Sequence, residues 1–300
     1  DICEYFKRTD DRIRIIHTEN EGPSAARNKG IENSSGEFLF FLDADDFLEP
    51  QTLQVLIGKQ QEFNSDLTVC DFVKLVDTEE IASGHHNVFN SDKLLEEKDL
   101  LAYVNDYLRA PNKNPLLTQS WGRLFRKDLI VDNDIWFNPT LRTFEDVEFN
   151  FKYLEHITSL LFVNEPLYTL RIHTDHFSAT MKLVDTPDSL FGYRAALSQV
   201  GNFLSAKQGS SFCQKNLLKA YVTYSIIQLI RLSIQEYSDN KQSIFTFTKS
   251  LLQDSTLQKG LEQFTPSKGS SRLIPFFMRV RFTRLLLYTC RRRGIKRYKK

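Results

Sequence analysis

Three hundred residues, 41% of them hydrophobic and 26% charged, can bury a sizeable core and suit one large domain or two ordinary ones, which excludes a disordered or fibrous chain. The net charge of +1 hides an asymmetry: residues 271–300 hold eleven Lys and Arg and no acid, against 28 basic and 38 acidic residues in the first 270. The four cysteines, Cys3, Cys70, Cys213 and Cys290, lack CxxC spacing, so neither a disulfide framework nor a zinc site is indicated, and a reducing cytoplasm is the simpler setting.

No apolar run approaches the roughly 18 residues of a membrane-spanning helix. Residues 1–10, with Ile2, Cys3 and Phe6 on one side, read as the end of an amphipathic helix. The β-branched stretch at 12–18 predicts a strand. The stretch "GPSAARNKGIENSSG" predicts a short helix with Pro23 near its start and Gly36 beyond its end. Residues 38–42 are an unbroken apolar run that suits a parallel strand covered on both faces, giving a strand–helix–strand unit. Pro50 opens a helix to about Phe63, and "DLTVCDFVKLV" supplies a further strand. A helix is predicted over 91–109, a strand at "WGRLF", a helix over about 145–155, and strands in "SLLFVNEPLYTLRIH". Beyond residue 180 the pattern is helical only, at 186–206, 212–236 and 241–252. The expected organisation is therefore an α/β domain over 1–180, a helical domain over 181–270 and a basic amphipathic tail over 271–300.

The apolar run ends in Asp43, Asp45 and Asp46. In open α/β sheets ligands bind at the carboxyl ends of parallel strands. Carboxylates crowded there repel one another unless a cation neutralises them, and hard divalent ions favour such oxygen ligands, completed by substrate phosphates. The plainer reading is an acidic loop that caps the helix after Pro50.

The whole stretch "HTENEGPSAARNKGIENSSGEFLFFLDADDFLEP" resembles family 2 glycosyltransferases of the GT-A fold, whose pattern is N-x-G-x-s-x-A-R-N-x-G followed by an apolar strand ending in D-x-D-D. Asn20, Gly22, Ser24, Ala26, Arg27, Asn28 and Gly30 fall on that pattern, followed by Asp43, Ala44, Asp45 and Asp46. The resemblance implies a nucleotide-sugar donor, with Asn20, Gly22, Arg27 and Asp43 on the donor side and Asp45 as direct ligand of Mn or Mg. Arg27 is otherwise a surface salt bridge. Family members open with a strand of the V-S-I-I-I-P-x-Y-N type and a second ending in D-D-G-S. Neither is present, so the resemblance also implies a chain lacking its first strands and part of its nucleotide pocket.

The second constellation is "TFEDVEFNFKYLEH", residues 143–156. The resemblance makes Asp146 the base that deprotonates the acceptor hydroxyl, with Glu145 orienting the site. The spacing Thr143-x-x-Asp146 equally fits a capping box, in which Asp146 satisfies backbone donors. In the loop near residues 168–180 the resemblance places Arg171 toward the diphosphate and His173 toward the metal. His85 and His86 read as exposed, and Trp121 as either core or acceptor wall.

The resemblance thus implies an inverting transfer of a sugar, from a UDP-sugar by preference, to a glycan or lipid-linked acceptor in bacterial surface polysaccharide synthesis. Two other classes stay open: a haloacid-dehalogenase-type phosphatase, and a non-catalytic module attached to membrane or nucleic acid through its tail. The tail interleaves apolar residues with Arg279, Arg281 and Arg284, which suits a helix lying on an anionic membrane surface. It equally suits a helix packed on the helical domain. Nucleic acid is not the expected partner, because the acidic remainder would repel phosphates. The expected location is the cytoplasm, peripheral on the inner face of the plasma membrane.

Overall fold

A computed structural model describes residues 2–77, 79–81, 89–109, 115–172, 187–208, 214–235, 241–267 and 269–298. Seven strands form one sheet: β1 (Phe38–Phe40), β2 (Phe47–Leu48), β3 (Leu67–Val76), β4 (Glu79–Ile81), β5 (Lys93–Glu96), β6 (Arg123–Arg126) and β7 (Ser159–Ile172), in the order β1-β6-β3-β7-β2. β3 is the spine. It runs parallel to β7 along its whole length, Leu67 opposite Leu160 and Val76 opposite Ile172, while β6 and β4 pair antiparallel with it. Residues 67–72 are buried throughout, which is why this strand reads as a continuous apolar run with Asp71 and Thr68 as the polar exceptions.

Three expectations change. The stretch at 12–18, mostly exposed with Ile13 and Ile15 half-buried, forms no strand and pairs with none among the described residues. β-propensity marks residues that suit a ladder, but a strand exists only where a neighbour takes its hydrogen bonds, and Arg14 instead donates a side-chain bond to the Asn33 carbonyl at 3.2 Å. The apolar run is a strand over three residues only, and its ladder partner β6 is antiparallel, with Leu39 opposite Phe125. The helix expected from 91 begins at Glu97, because Lys93–Glu96 pairs with β7, Leu94 opposite Leu161. Edge pairing there overrides helix propensity.

The helices are α1 (Ile2–Thr9), α2 (Pro23–Asn33), α3 (Thr52–Phe63), α4 (Glu97–Arg109), α5 (Lys127–Asp132) and α6 (Glu145–Leu154), followed by α7 (Pro187–Gln208), α8 (Gln214–Gln235), α9 (Lys241–Leu251), α10 (Ser255–Gln263), α11 (Leu273–Arg279) and α12 (Thr283–Tyr298). The fold is an α/β arrangement with a helical C-terminal part. One apolar cluster joins them, from Ile31, Leu39 and Phe125 through Phe151 and Phe203 to Leu261, Met278 and Cys290. Phe151 of α6 meets Phe203 of α7 edge-on, ring centroids 5.8 Å apart, an aromatic contact worth about 0.5–1.5 kcal/mol beyond its burial. Against the expectation that no stretch is apolar enough to span a membrane, residues 214–234 have the length and mean hydropathy, 1.2, of such a span, and half of that window is buried inside the protein.

Candidate active site

α2 starts after Gly22, whose φ of 88° suits glycine alone, with Pro23 in the first helical turn. The Asn20 side chain accepts the Gly22 amide at 3.3 Å and so shapes this entry. Ser24 and Ile31 are buried, and Arg27, three and four residues from them, shares their face. Its neighbour Asn28 makes a reciprocal pair with the backbone of Phe137, each bond 2.9 Å, tying α2 to the 137 loop. The Phe137 ring lies 5.3 Å from the Arg27 guanidinium and stacks on Phe149 of α6 at 3.9 Å.

Arg27 gathers the acidic residues. One guanidinium nitrogen donates to Asp43 Oδ1 at 3.0 Å; the other donates to Asp146 Oδ1 at 3.0 Å and lies 3.6 Å from Glu145 Oε1. With its side chain 15% exposed, Arg27 is not a surface salt bridge. Burial pulls its pKa down, and attraction to Asp146, Asp43 and Glu145 outweighs that and holds it above the ordinary arginine value.

The three carboxylates after β1 have three different fates. Asp43 pairs with Arg27. Asp46 turns inward, accepting the Tyr168 hydroxyl at 2.5 Å and the Arg171 amide at 2.8 Å; burial pushes it above the usual carboxylate range despite these bonds. Tyr168 in turn accepts the Asp43 amide at 3.4 Å and stacks on Trp121 at 4.4 Å, so one tyrosine braces the whole turn. Trp121 is buried and belongs to the core. Asp45 is exposed and engages no side chain among the described residues.

α6 delivers the remaining pair from an unusual turn. Phe144, its N-cap residue, has φ 63°, a left-handed conformation that is costly for a bulky residue. Its ring is held edge-on by Tyr193 at 5.2 Å and Tyr224 at 5.5 Å, from α7 and α8. Gly192 of α7 lies so close that a Cβ there would strike the Thr143 carbonyl. The helix has no side-chain cap, and the Thr143 hydroxyl is buried without a partner, so the capping-box geometry is absent. Instead Asp146 Oδ1 accepts Arg27 and the Ser120 hydroxyl (2.9 Å), and Oδ2 accepts the Ser120 amide (3.2 Å). An ionised carboxylate has about four acceptor positions. Three are taken, leaving one on Oδ2. Burial raises Asp146 above the ordinary range, against the lowering effects of Arg27 and Ser120; Glu145 is raised first by burial and then by repulsion from Asp146.

The structure thus brings Arg27, Asp43, Glu145 and Asp146 together, with Asp45 on the adjoining turn. Arg171 reaches the site through its backbone, while its guanidinium lies 5.6 Å from the Phe47 ring. His173, His85 and His86 lie outside the described residues. No group of three His, Cys, Asp or Glu among the described residues could enclose a metal ion. Asp45 alone fits a different mode, in which Mg or Mn takes one carboxylate and fills its shell with phosphate oxygens and water.

Residues 1–139 match the family described as glycosyl transferase family 2. The chain carries a family 2 glycosyltransferase domain. It is 30% identical over 209 residues to EpsH of Bacillus subtilis (strain 168), covering 68% of this chain and 58% of that protein. It is 29% identical over 180 residues to the glycosyltransferase GlyA of Streptococcus pneumoniae serotype 4, covering 59% of this chain and 25% of that one. The chain therefore spans about half or less of the length of these relatives. In fold it resembles S. aureus TarS 1-349 solved with UDP-GlcNAc, at a TM-score of 0.68 and 17% identity over 98% of this chain and 78% of TarS. The family match displaces the phosphatase alternative. It ends before Glu145 and Asp146, which the fold nevertheless sets against the Arg27 of the matched region.

Sequence reasoning passed over Ser120 and Tyr168, and placed Asn28 and Asp46 on the family pattern without giving either a role. Asp46 was legible as the last acid of D-x-D-D. Ser120 acts from the bend before β6 and Tyr168 from β7, both distant in sequence, and no local pattern announces them.

Proposed function

We propose that the family 2 domain transfers a sugar from a UDP-sugar to an acceptor hydroxyl, with inversion, in the building of a bacterial surface polysaccharide. The observation that carries the reading is the single open acceptor position on Asp146, a half-buried carboxylate whose other positions are filled by Arg27 and Ser120. In the proposed step the acceptor oxygen attacks the anomeric carbon and passes its proton to Asp146 Oδ2. The bond to the diphosphate breaks with its electron pair on the phosphate oxygen. One displacement inverts the centre. A raised carboxylate pKa brings the base closer to neutral pH, where general bases are most effective. Arg27, already charged and fixed by two acids, supplies positive charge beside the leaving diphosphate.

A Mn or Mg ion held by Asp45 would act as Lewis acid toward the diphosphate. The UDP-GlcNAc complex of the TarS neighbour and the glycosyltransferase EpsH relative support transfer from a nucleotide-sugar donor; the polysaccharide setting rests on the sequence resemblance. The test is a thermal-shift and turnover screen of nucleotide sugars on the full-length protein, with and without Mn. A UDP-sugar should raise Tm and release UDP, more so with Mn, and Asp45→Asn should remove the Mn-dependent part. A donor response indifferent to both Mn and Asp45 would refute the metal assignment, and no response to any nucleotide sugar would refute the function.

A further inference from the structure

The tail is neither a free extension nor wholly absorbed. α11 and α12 are joined at Val280–Phe282, where Arg281 has φ 55° and turns the chain. Their inner face is core: Ile274, Met278, Leu286 and Cys290 are fully buried. Leu273, Phe276, Leu285 and Tyr288 of the two helices, with Val280 and Phe282 of the joint, are each between 44% and 59% exposed. With Ile295, these make seven of the sixteen large hydrophobics exposed among the described residues, concentrated in one helical pair. Single exposed apolar residues need no explanation; a contiguous group marks an interaction surface.

The charge on that surface has one sign. Residues 271–300 contain no Asp or Glu, and Arg272, Arg284, Arg292 and Lys296 are exposed among the apolar residues. Beside them a recess of about 240 Å³ is lined by Ile244, Phe245, Leu287 and Tyr288 together with Arg284 and Arg291. Apolar wall and guanidinium groups therefore meet at one place, as a phosphate-headed amphiphile would require.

We infer that the outer face of α11 and α12 docks on an anionic lipid bilayer. Its aromatic and aliphatic side chains enter the boundary between headgroups and acyl chains, and its arginines meet lipid phosphates. Charge complementarity selects this occupant. A second copy would bring eleven cations against eleven, and nucleic acid would leave Leu273, Val280 and Leu285 in water. This inference stands apart from the sugar-transfer reading, since it uses none of the active-site residues.

The test is sedimentation of the full-length protein with vesicles of phosphatidylglycerol and phosphatidylcholine, against phosphatidylcholine alone, at low and high salt. Binding is expected to the anionic vesicles only and to weaken with salt. Arg284→Glu with Arg292→Glu should lower partitioning at least about tenfold through lost attraction to the anionic surface, and separately Phe276→Ser with Phe282→Ser should lower it at least about tenfold through lost apolar burial. All four positions are exposed, and unchanged melting of each variant would confirm that the fold is intact. Equal partitioning of parent and variants would overturn the inference. So would tighter binding to an oligonucleotide than to vesicles, or a dimer dispersed by the Phe variant in a protein that ignores vesicles.

Discussion

Asp146→Asn separates chemistry from architecture. The amide retains one oxygen, which can keep the bonds from Arg27 and from the Ser120 hydroxyl that Oδ1 now accepts. Its nitrogen then replaces Oδ2 and faces the Ser120 amide, donor against donor. A buried donor without an acceptor costs about 1–3 kcal/mol. Relief of the buried charge, visible as the raised Asp146 pKa, works in the opposite direction, and Arg27 keeps Asp43 and Glu145 as partners. The net loss should stay within that range, a fall in Tm of a few degrees at 2–4 °C per kcal/mol for a chain of this size class. Loss of a general base should instead slow transfer by about 10²–10⁴, equivalent to roughly 3–5 kcal/mol of barrier. The assay is UDP release per folded molecule, with the folded fraction fixed by calorimetry and donor affinity measured separately. Turnover within a few-fold of the parent, alongside a larger melting shift, would show that Asp146 is architectural and refute the base assignment.

Ser120→Ala removes a bond that lowers the Asp146 pKa, so the acidic limb of kcat/KM should move to higher pH; a profile that merely scales down would assign Ser120 to packing alone. The Glu145 pKa is raised in the folded state, so its contribution to stability is fully present below the ordinary carboxylate range and is lost as pH rises through the raised value. Glu145→Gln should therefore make the Tm at pH 7 minus the Tm at about pH 4 more positive than in the parent, and a calorimetric difference that stays the same or falls would contradict the shift. Gly192→Ala gains about 1 kcal/mol of helix propensity but drives a methyl group into the Thr143 carbonyl. Overpacking of this kind costs about 1–3 kcal/mol, so Tm and turnover should both fall; a higher Tm with parental turnover would show that α7 yields freely.

Much of this was legible in the chain. The Gly22–Pro23 entry to α2, the apolar run ending in acids and the helices after residue 186 are local signals, while the donor-side placement of Arg27 and Asp43 came from the family resemblance. Pairing was not legible. Residues 12–18 carry strand propensity yet find no partner, and 93–96 carry helix propensity yet are captured by β7. Both outcomes depend on neighbours distant in sequence. The three fates of Asp43, Asp45 and Asp46 were hidden for the same reason, since they are decided by Arg27, Tyr168 and the Arg171 amide. The ambiguity between cap and base at Asp146 came from a spacing that both readings share; the positive φ of Phe144, which no motif encodes, is what turns the carboxylate away from the cap.

Phe144, clasped by Tyr193 and Tyr224 with Gly192 beneath Thr143, bears on how such chains can be recombined. The strained turn that presents Glu145 and Asp146 is held in shape by helices of the C-terminal part. A chimera joined between residue 172 and residue 187 would inherit Arg27, Asp43 and Asp146 intact and still lose their alignment, unless the incoming helices supply a glycine and two aromatic rings in the same places. Recombination in this scaffold therefore carries a hidden linkage: the turn that presents Glu145 and Asp146 and the first two helices of the C-terminal part have to be exchanged together.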